Sequence, residues 1–129
     1  MKKTTFNQKR YYLTKLMLEL GVPAHLKGYH YIRTAVLMVT EDMELVSSVT
    51  KLLYPDVAKQ YHTSGQKVER AIRNAIEVSW QRGDMDAIER VFGFSANSGK
   101  GRPTNSEYIA RLADEIHLYY EEAALAKEI

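Results

Sequence analysis

Apolar residues recur at steps of three and four along nearly the whole sequence, and nowhere do they show the sustained alternation of a half-buried strand. That periodicity restricts the chain to helices packed through one stripe each, and the fold class it predicts is all-α. The expected architecture is a compact bundle of about six or seven helices containing a helix-turn-helix. A first helix is predicted from about Lys9 to Leu20, with Leu13, Leu16, Met17 and Leu20 on one stripe, stopped by Gly21 and Pro23. A second starts near Lys27 or Gly28 and turns Tyr31, Ile32, Ala35, Val36 and Val39 inward. Asp42 is placed to cap a short third helix holding Leu45, Val46, Val49 and Leu53.

The middle of the chain is the informative part. Pro55 fits the first turn of a new helix, so Tyr54 to about Tyr61 reads as a separate short helix. The turn His62-Thr63-Ser64-Gly65 follows, with Thr63 and Gln66 at capping-box spacing, and then a long helix to Arg82 ends against Gly83. Two helices joined by a tight turn with a small residue in it form the helix-turn-helix, whose second helix enters the DNA major groove. Val57, Ala58, Tyr61, Val68, Ala71 and Ile72 stand where the two helices must bury one another. His62 and Thr63 stand where glycine and an apolar residue are usual.

At about 100° per residue, Val68, Ile72, Ala75, Ile76 and Ser79 fall on one side of the long helix. Gln66, Arg70, Arg73, Asn74 and Glu77 fall on the other, with Lys67 and Glu69 on the flanks. These residue types can read base edges: arginine donates twice to guanine, asparagine or glutamine pairs with adenine, and glutamate accepts from cytosine. The N-terminal half of such a helix reaches the bases, which favours Gln66, Glu69, Arg70, Arg73 and Asn74 as base contacts. Ser64 and Lys67 at its start, His25 and Lys27 before the second helix, and Lys100 and Arg102 in a basic loop are the candidate phosphate contacts.

Downstream, Asp84 caps a short helix to Phe92, closed by Gly93, in which Met85, Ile88, Val91 and Phe92 read as core. Residues 93 to 103 form a loop, and Thr104 and Glu107 open a last helix with Tyr108, Ile109, Leu112, Ala113, Ile116 and Tyr119 facing in.

Composition narrows the class further. At 129 residues the chain makes one domain, and 45% apolar with 26% charged residues is the balance of a folded globular chain. With no cysteine, disulfides, thiolate metal sites and cysteine nucleophiles are out. A net charge of +2 does not nominate nucleic acid. The distribution does: Lys2, Lys3, Lys9, Arg10 and Lys15 occur with no acid among the first fifteen residues, while Glu41, Asp42, Glu44, Glu121 and Glu122 lie elsewhere. Residues 1–8 read as a flexible basic arm. No apolar run spans a bilayer and no signal peptide is readable, so the expectation is a cytoplasmic, nucleoid-associated protein without membrane contact.

The same residues speak against other classes. His25, His30, His62 and His117 are scattered without metal-ligand spacing, and Gly99-Lys100-Gly101 lacks the frame of a phosphate-binding loop. No enzyme activity, cofactor or metal is expected. A protein-interaction module is the stronger rival, since Tyr119, Tyr120, Leu125 and Ile129 extend an apolar strip beyond what a small core needs.

The stretches Gly21 to Tyr29, Lys51 to Lys59, Val68 to Val78 and Lys100 to Glu107 closely resemble the C-terminal effector domain of stage zero sporulation protein A, the response regulator of endospore formation. The likeness runs from about Leu20 to about Leu118. It implies a helical bundle recognising TGTCGAA-type boxes in double-stranded DNA, in tandem copies, with Glu69, Arg70 and Arg73 on the bases. It further implies that the helix after Asp84, through Asp86, Glu89 and Arg90, faces the RNA polymerase sigma subunit, while the C-terminal strip of Tyr119, Tyr120, Leu125 and Ile129 could pair two copies as a homodimer on adjacent boxes. The family departs from this sequence at Gln66, Lys67 and Asn74, so base preference there is its own. The family's receiver has no counterpart in these residues, which lack an acidic-pocket α/β segment, so no phosphorylation switch is expected within them.

Overall fold

The computed structural model describes residues 3–93 and 101–128, and every described element is helical. Helix α1 covers Lys3–Glu19, α2 Lys27–Glu41, α3 Tyr54–Gln60, α4 Gly65–Arg82, α5 Met85–Phe92 and α6 Asn105–Glu128. Among the described residues no helix is long and apolar enough to cross a membrane.

The all-α bundle stands as expected, and α2 is its central element, packing most extensively against α4 and α6. Leu13, Leu16, Met17 and Leu20 of α1 meet Ile32, Ala35, Val36 and Val39 of α2 in one continuous core that also takes Val68, Ile72, Ala75 and Ile76 from α4. From α6 it takes Tyr108, Ile109, Leu112, Ala113 and Ile116. These are the stripes that the three-and-four spacing marks out, because burying one face of each helix is the main source of free energy available to a chain this size.

The N-terminal segment departs from its expectation. Helix α1 begins at Lys3 rather than near Lys9, so the stretch read as an arm is helical from that point. Lys9 is buried, with its ammonium 5.9 Å from the centre of the Tyr120 ring, so aromatic cover from α6 holds this turn of α1 in place.

Between α2 and α3 the expected α-helix is replaced. Asp42 caps as predicted, accepting from the Glu44 amide at 3.1 Å, but Met43–Ser48 winds as a 3-10 helix and Val49–Leu53 as a single π turn. Pro55 explains the widening. It has no N–H for the Lys51 carbonyl, and its ring crowds that carbonyl in α geometry.

Two glycines are required by close approach. A Cβ on Gly28 would lie 2.1 Å from the Ala71 carbonyl oxygen, so only glycine lets the start of α2 sit on α4. Gly21, at φ +77°, ends α1 against Gly83, where a Cβ would be 2.6 Å from the Gly83 Cα. A buried hydrogen-bond chain locks the same corner. Ser79 Oγ donates to the Leu20 carbonyl at 2.6 Å, which leaves the Tyr108 hydroxyl as donor to Ser79 Oγ at 2.9 Å.

Two inward assignments are corrected. Tyr119 is 45% exposed, stacked on Tyr12 of α1 with ring centres 4.2 Å apart, so its ring covers α1 rather than entering the core. Met85 is 62% exposed at the first position of α5, before the helix has turned its apolar face inward, whereas Ile88 and Val91 are buried and Phe92 packs against the core.

Candidate nucleic-acid interface

Helices α3 and α4 are joined by a turn at residues 61–64 whose chemistry is local. The Thr63 amide donates back to the Ala58 carbonyl at 3.0 Å, and His62 takes φ +55°, the left-handed conformation at which glycine is usual. The N-cap of α4 is Ser64, one residue later than the predicted Thr63–Gln66 box: its side chain accepts from the Lys67 amide at 3.2 Å. Thr63 closes the preceding turn instead, which leaves the next hydroxyl to cap. Tyr61, expected in the buried seam, is more than a third exposed, with its hydroxyl 2.7 Å from Thr34 Oγ1 and its ring edge-on to Tyr31.

The two faces of α4 fall as the periodicity predicts. Val68, Ile72, Ala75, Ile76 and Ser79 are buried. Gln66, Lys67, Arg70, Arg73, Asn74 and Glu77 are exposed. Glu69 lies between, its side chain 34% exposed and its carboxylate 3.3 Å from Arg73 Nη1, which is 53% exposed. At these exposures the pair is a weak tether that water and salt screen, so it orients Arg73 along the helix without locking it.

Both flanks of α4 are braced. On the Ala71 side stands the start of α2, with Gly28 against the Ala71 backbone and exposed Lys27 and His25 just ahead of it. On the Glu69 side stands the start of α6, where Asn105 Nδ2 donates to the Glu69 carbonyl at 3.1 Å and to the Tyr54 hydroxyl at 2.9 Å. Asn105 is fixed there by a reciprocal capping box, the Glu107 amide donating to Thr104 Oγ1 at 3.1 Å and the Thr104 amide to Glu107 Oε1 at 2.9 Å. Burial pushes the Tyr54 hydroxyl pKa above its usual value, with the bond from Asn105 opposing the shift, so this phenol is neutral at ordinary pH.

Arg102 is exposed and lines a furrow with Arg73, Thr50 and Tyr54, which brings the described end of the basic loop beside α4. Lys100, the other cation of that loop, lies outside the described residues. The same furrow continues past Glu69 and Arg70 to Ser64, Gly65 and Gln66 at the start of α4. Sequence reasoning did not nominate Tyr54, Thr50 or Asn105. They lie far apart in the chain, Tyr54 looks only like a helix start and Asn105 only like a first-turn residue, so no local signal marks them.

Among the described residues, Ser64, Gln66, Glu69, Arg70, Arg73 and Arg102 therefore line adjoining stretches of one furrow, and the exposed face of α4 is rich in guanidinium and amide groups. The family model that matches this chain, over residues 13–116, is described as the sporulation initiation factor Spo0A C terminal.

Proposed function

The chain belongs to the Spo0A C-terminal family of DNA-binding regulatory domains, and we propose that it reads a TGTCGAA-like box with α4 in the major groove. In this reading Arg70 and Arg73 donate in pairs to guanines, Glu69 accepts from a cytosine amine, and Gln66 and Asn74 address adenines. Ser64 and Lys67 at the start of α4, His25 and Lys27 beside α2, and Lys100 and Arg102 in the basic loop hold phosphates and set the register. The observation that supports it most is the bracing of α4 on both flanks, by Gly28 at Ala71 and by Asn105 at Glu69, with the exposed Arg70, Arg73 and Asn74 between them. Rigid presentation of side chains is what base discrimination needs, since misplacing a bidentate donor forfeits its second bond.

Tandem binding brings neighbouring copies together on DNA, where a homodimer contact forms. The exposed Asp86, Glu89 and Arg90 of α5 form the face for the RNA polymerase sigma subunit. Arg90 pairs with Glu19, 2.6 Å away, in a solvent-exposed contact that tethers it only weakly. No catalytic activity is proposed, and the site of action is the nucleoid in the cytoplasm.

The test is equilibrium binding to duplexes with the box intact and with it scrambled, repeated across a range of salt. Preference for the intact box at every salt concentration is the expected result. Equal affinity for both duplexes would refute sequence reading.

A further inference from the structure

The furrow beside α4 contains a hydroxyl whose hydrogen bonding is half committed. Asn105 Nδ2 faces the Glu69 carbonyl, which can only accept, so the atom there is the amide nitrogen, and its second proton goes to the Tyr54 oxygen. Tyr54 is therefore the acceptor in that bond and keeps its own proton to donate. The residue is only 6% exposed, and it lines the furrow together with Asn105, to which its hydroxyl is bonded, and exposed Thr50, Arg73 and Arg102. The carboxylate in the furrow, Glu69, is engaged by Arg73.

A fixed donor with cations on its rim suits an anionic oxygen better than a neutral base edge, because a charge-assisted bond is shorter and about twice as strong as a neutral one. Resting on the DNA-binding reading above, we propose that the end of the furrow at Thr50, Tyr54 and Arg102 follows the sugar-phosphate backbone of one strand while Arg73 and Glu69 on its other rim face the bases, that the Tyr54 and Thr50 hydroxyls are phosphate ligands, and that Asn105 is the positioning residue that aims Tyr54.

Tyr54→Phe removes the oxygen and leaves the ring in the core, so it separates the hydroxyl from the packing. The expected result is a loss of roughly tenfold, equal for intact and scrambled boxes. The salt dependence should match the unaltered protein, because a neutral donor displaces no counterion. Replacing single phosphates of the duplex by uncharged methylphosphonates supplies the second readout. One position should weaken the unaltered protein and leave Tyr54→Phe indifferent, and Thr50→Val, a change at an exposed side chain, should become indifferent at the same phosphate or an adjoining one.

Binding by Tyr54→Phe equal to that of the unaltered protein, or a loss confined to the intact box, overturns the assignment while leaving α4 as reader. The same holds if both variants keep the unaltered protein's sensitivity at every phosphate. Failure of the unaltered protein to bind either duplex overturns the DNA reading itself.

Discussion

Gly28 lies so close to α4 that a Cβ on it would stand 2.1 Å from the carbonyl oxygen of Ala71 and 2.8 Å from the Ala75 Cβ. Neither obstacle is the free end of a flexible side chain, so the helices must part if anything larger than hydrogen occupies the position. Gly28→Ala is expected to cost roughly 3 kcal/mol of folding stability, at the upper end for overpacking, read as a lower urea midpoint. DNA binding should weaken along with it, since the same contact braces α4.

The Ser79–Tyr108 pair makes a prediction of the opposite geometry, loss rather than excess. Ser79→Ala strips the Leu20 carbonyl of its donor and the Tyr108 hydroxyl of its acceptor, both in the core, for an expected cost of about 2–3 kcal/mol in denaturant unfolding. Tyr108→Phe removes a donor while Ser79 keeps its bond to Leu20, so it should cost nearer 1 kcal/mol.

Burial pushes the Tyr108 pKa far above its ordinary 10.0. Below that ordinary value the phenol is neutral in both folded and unfolded chains and contributes no pH dependence. Above it the unfolded phenol ionises while the folded one does not, so stability falls as pH rises, by up to about 1.4 kcal/mol per pH unit from this one group. The alkaline decline of Tyr108→Phe, followed by thermal unfolding above pH 10, should be shallower by that one group.

His62 holds φ +55° without being glycine. A left-handed residue with a Cβ costs roughly 1–2 kcal/mol, and glycine gives back about 0.5–1 of that in unfolded-chain entropy. His62→Gly is therefore expected to raise the thermal midpoint by a few degrees, equivalent to about 0.5–1 kcal/mol. His62→Val, with branching at Cβ, should lower it.

What the sequence made legible was whatever follows from helical period and local capping. The buried set Val68, Ile72, Ala75, Ile76 and Ser79 follows from the spacing of apolar and small residues, and the caps at Asp42, Asp84 and Thr104 come from short-range hydrogen-bond chemistry. Three kinds of feature were not legible. The π turn at Val49–Leu53 comes from Pro55 acting back on the preceding carbonyls, which apolar spacing does not register. The shift of the α4 cap from Thr63 to Ser64 is a competition between adjacent hydroxyls decided by how the turn closes onto Ala58. The Tyr54–Asn105–Glu69 cluster joins residues from three helices, so it exists only once the bundle has formed.

Arg102 lines the furrow with Arg73 but comes from the loop before α6 rather than from α4. Arg102→Ala should weaken intact and scrambled boxes by the same factor and reduce the slope of log affinity against log salt by about one, as loss of a phosphate contact does.

If the outward face of α4 discriminates bases, the ratio of affinities for intact and scrambled boxes must change in Arg70→Ala at fixed salt. The expected result is a loss of roughly 1–3 kcal/mol for the intact box with little change for the scrambled one, so that the ratio collapses. An unchanged ratio, with both affinities reduced together, would contradict base reading by this face and leave α4 as a phosphate-holding surface.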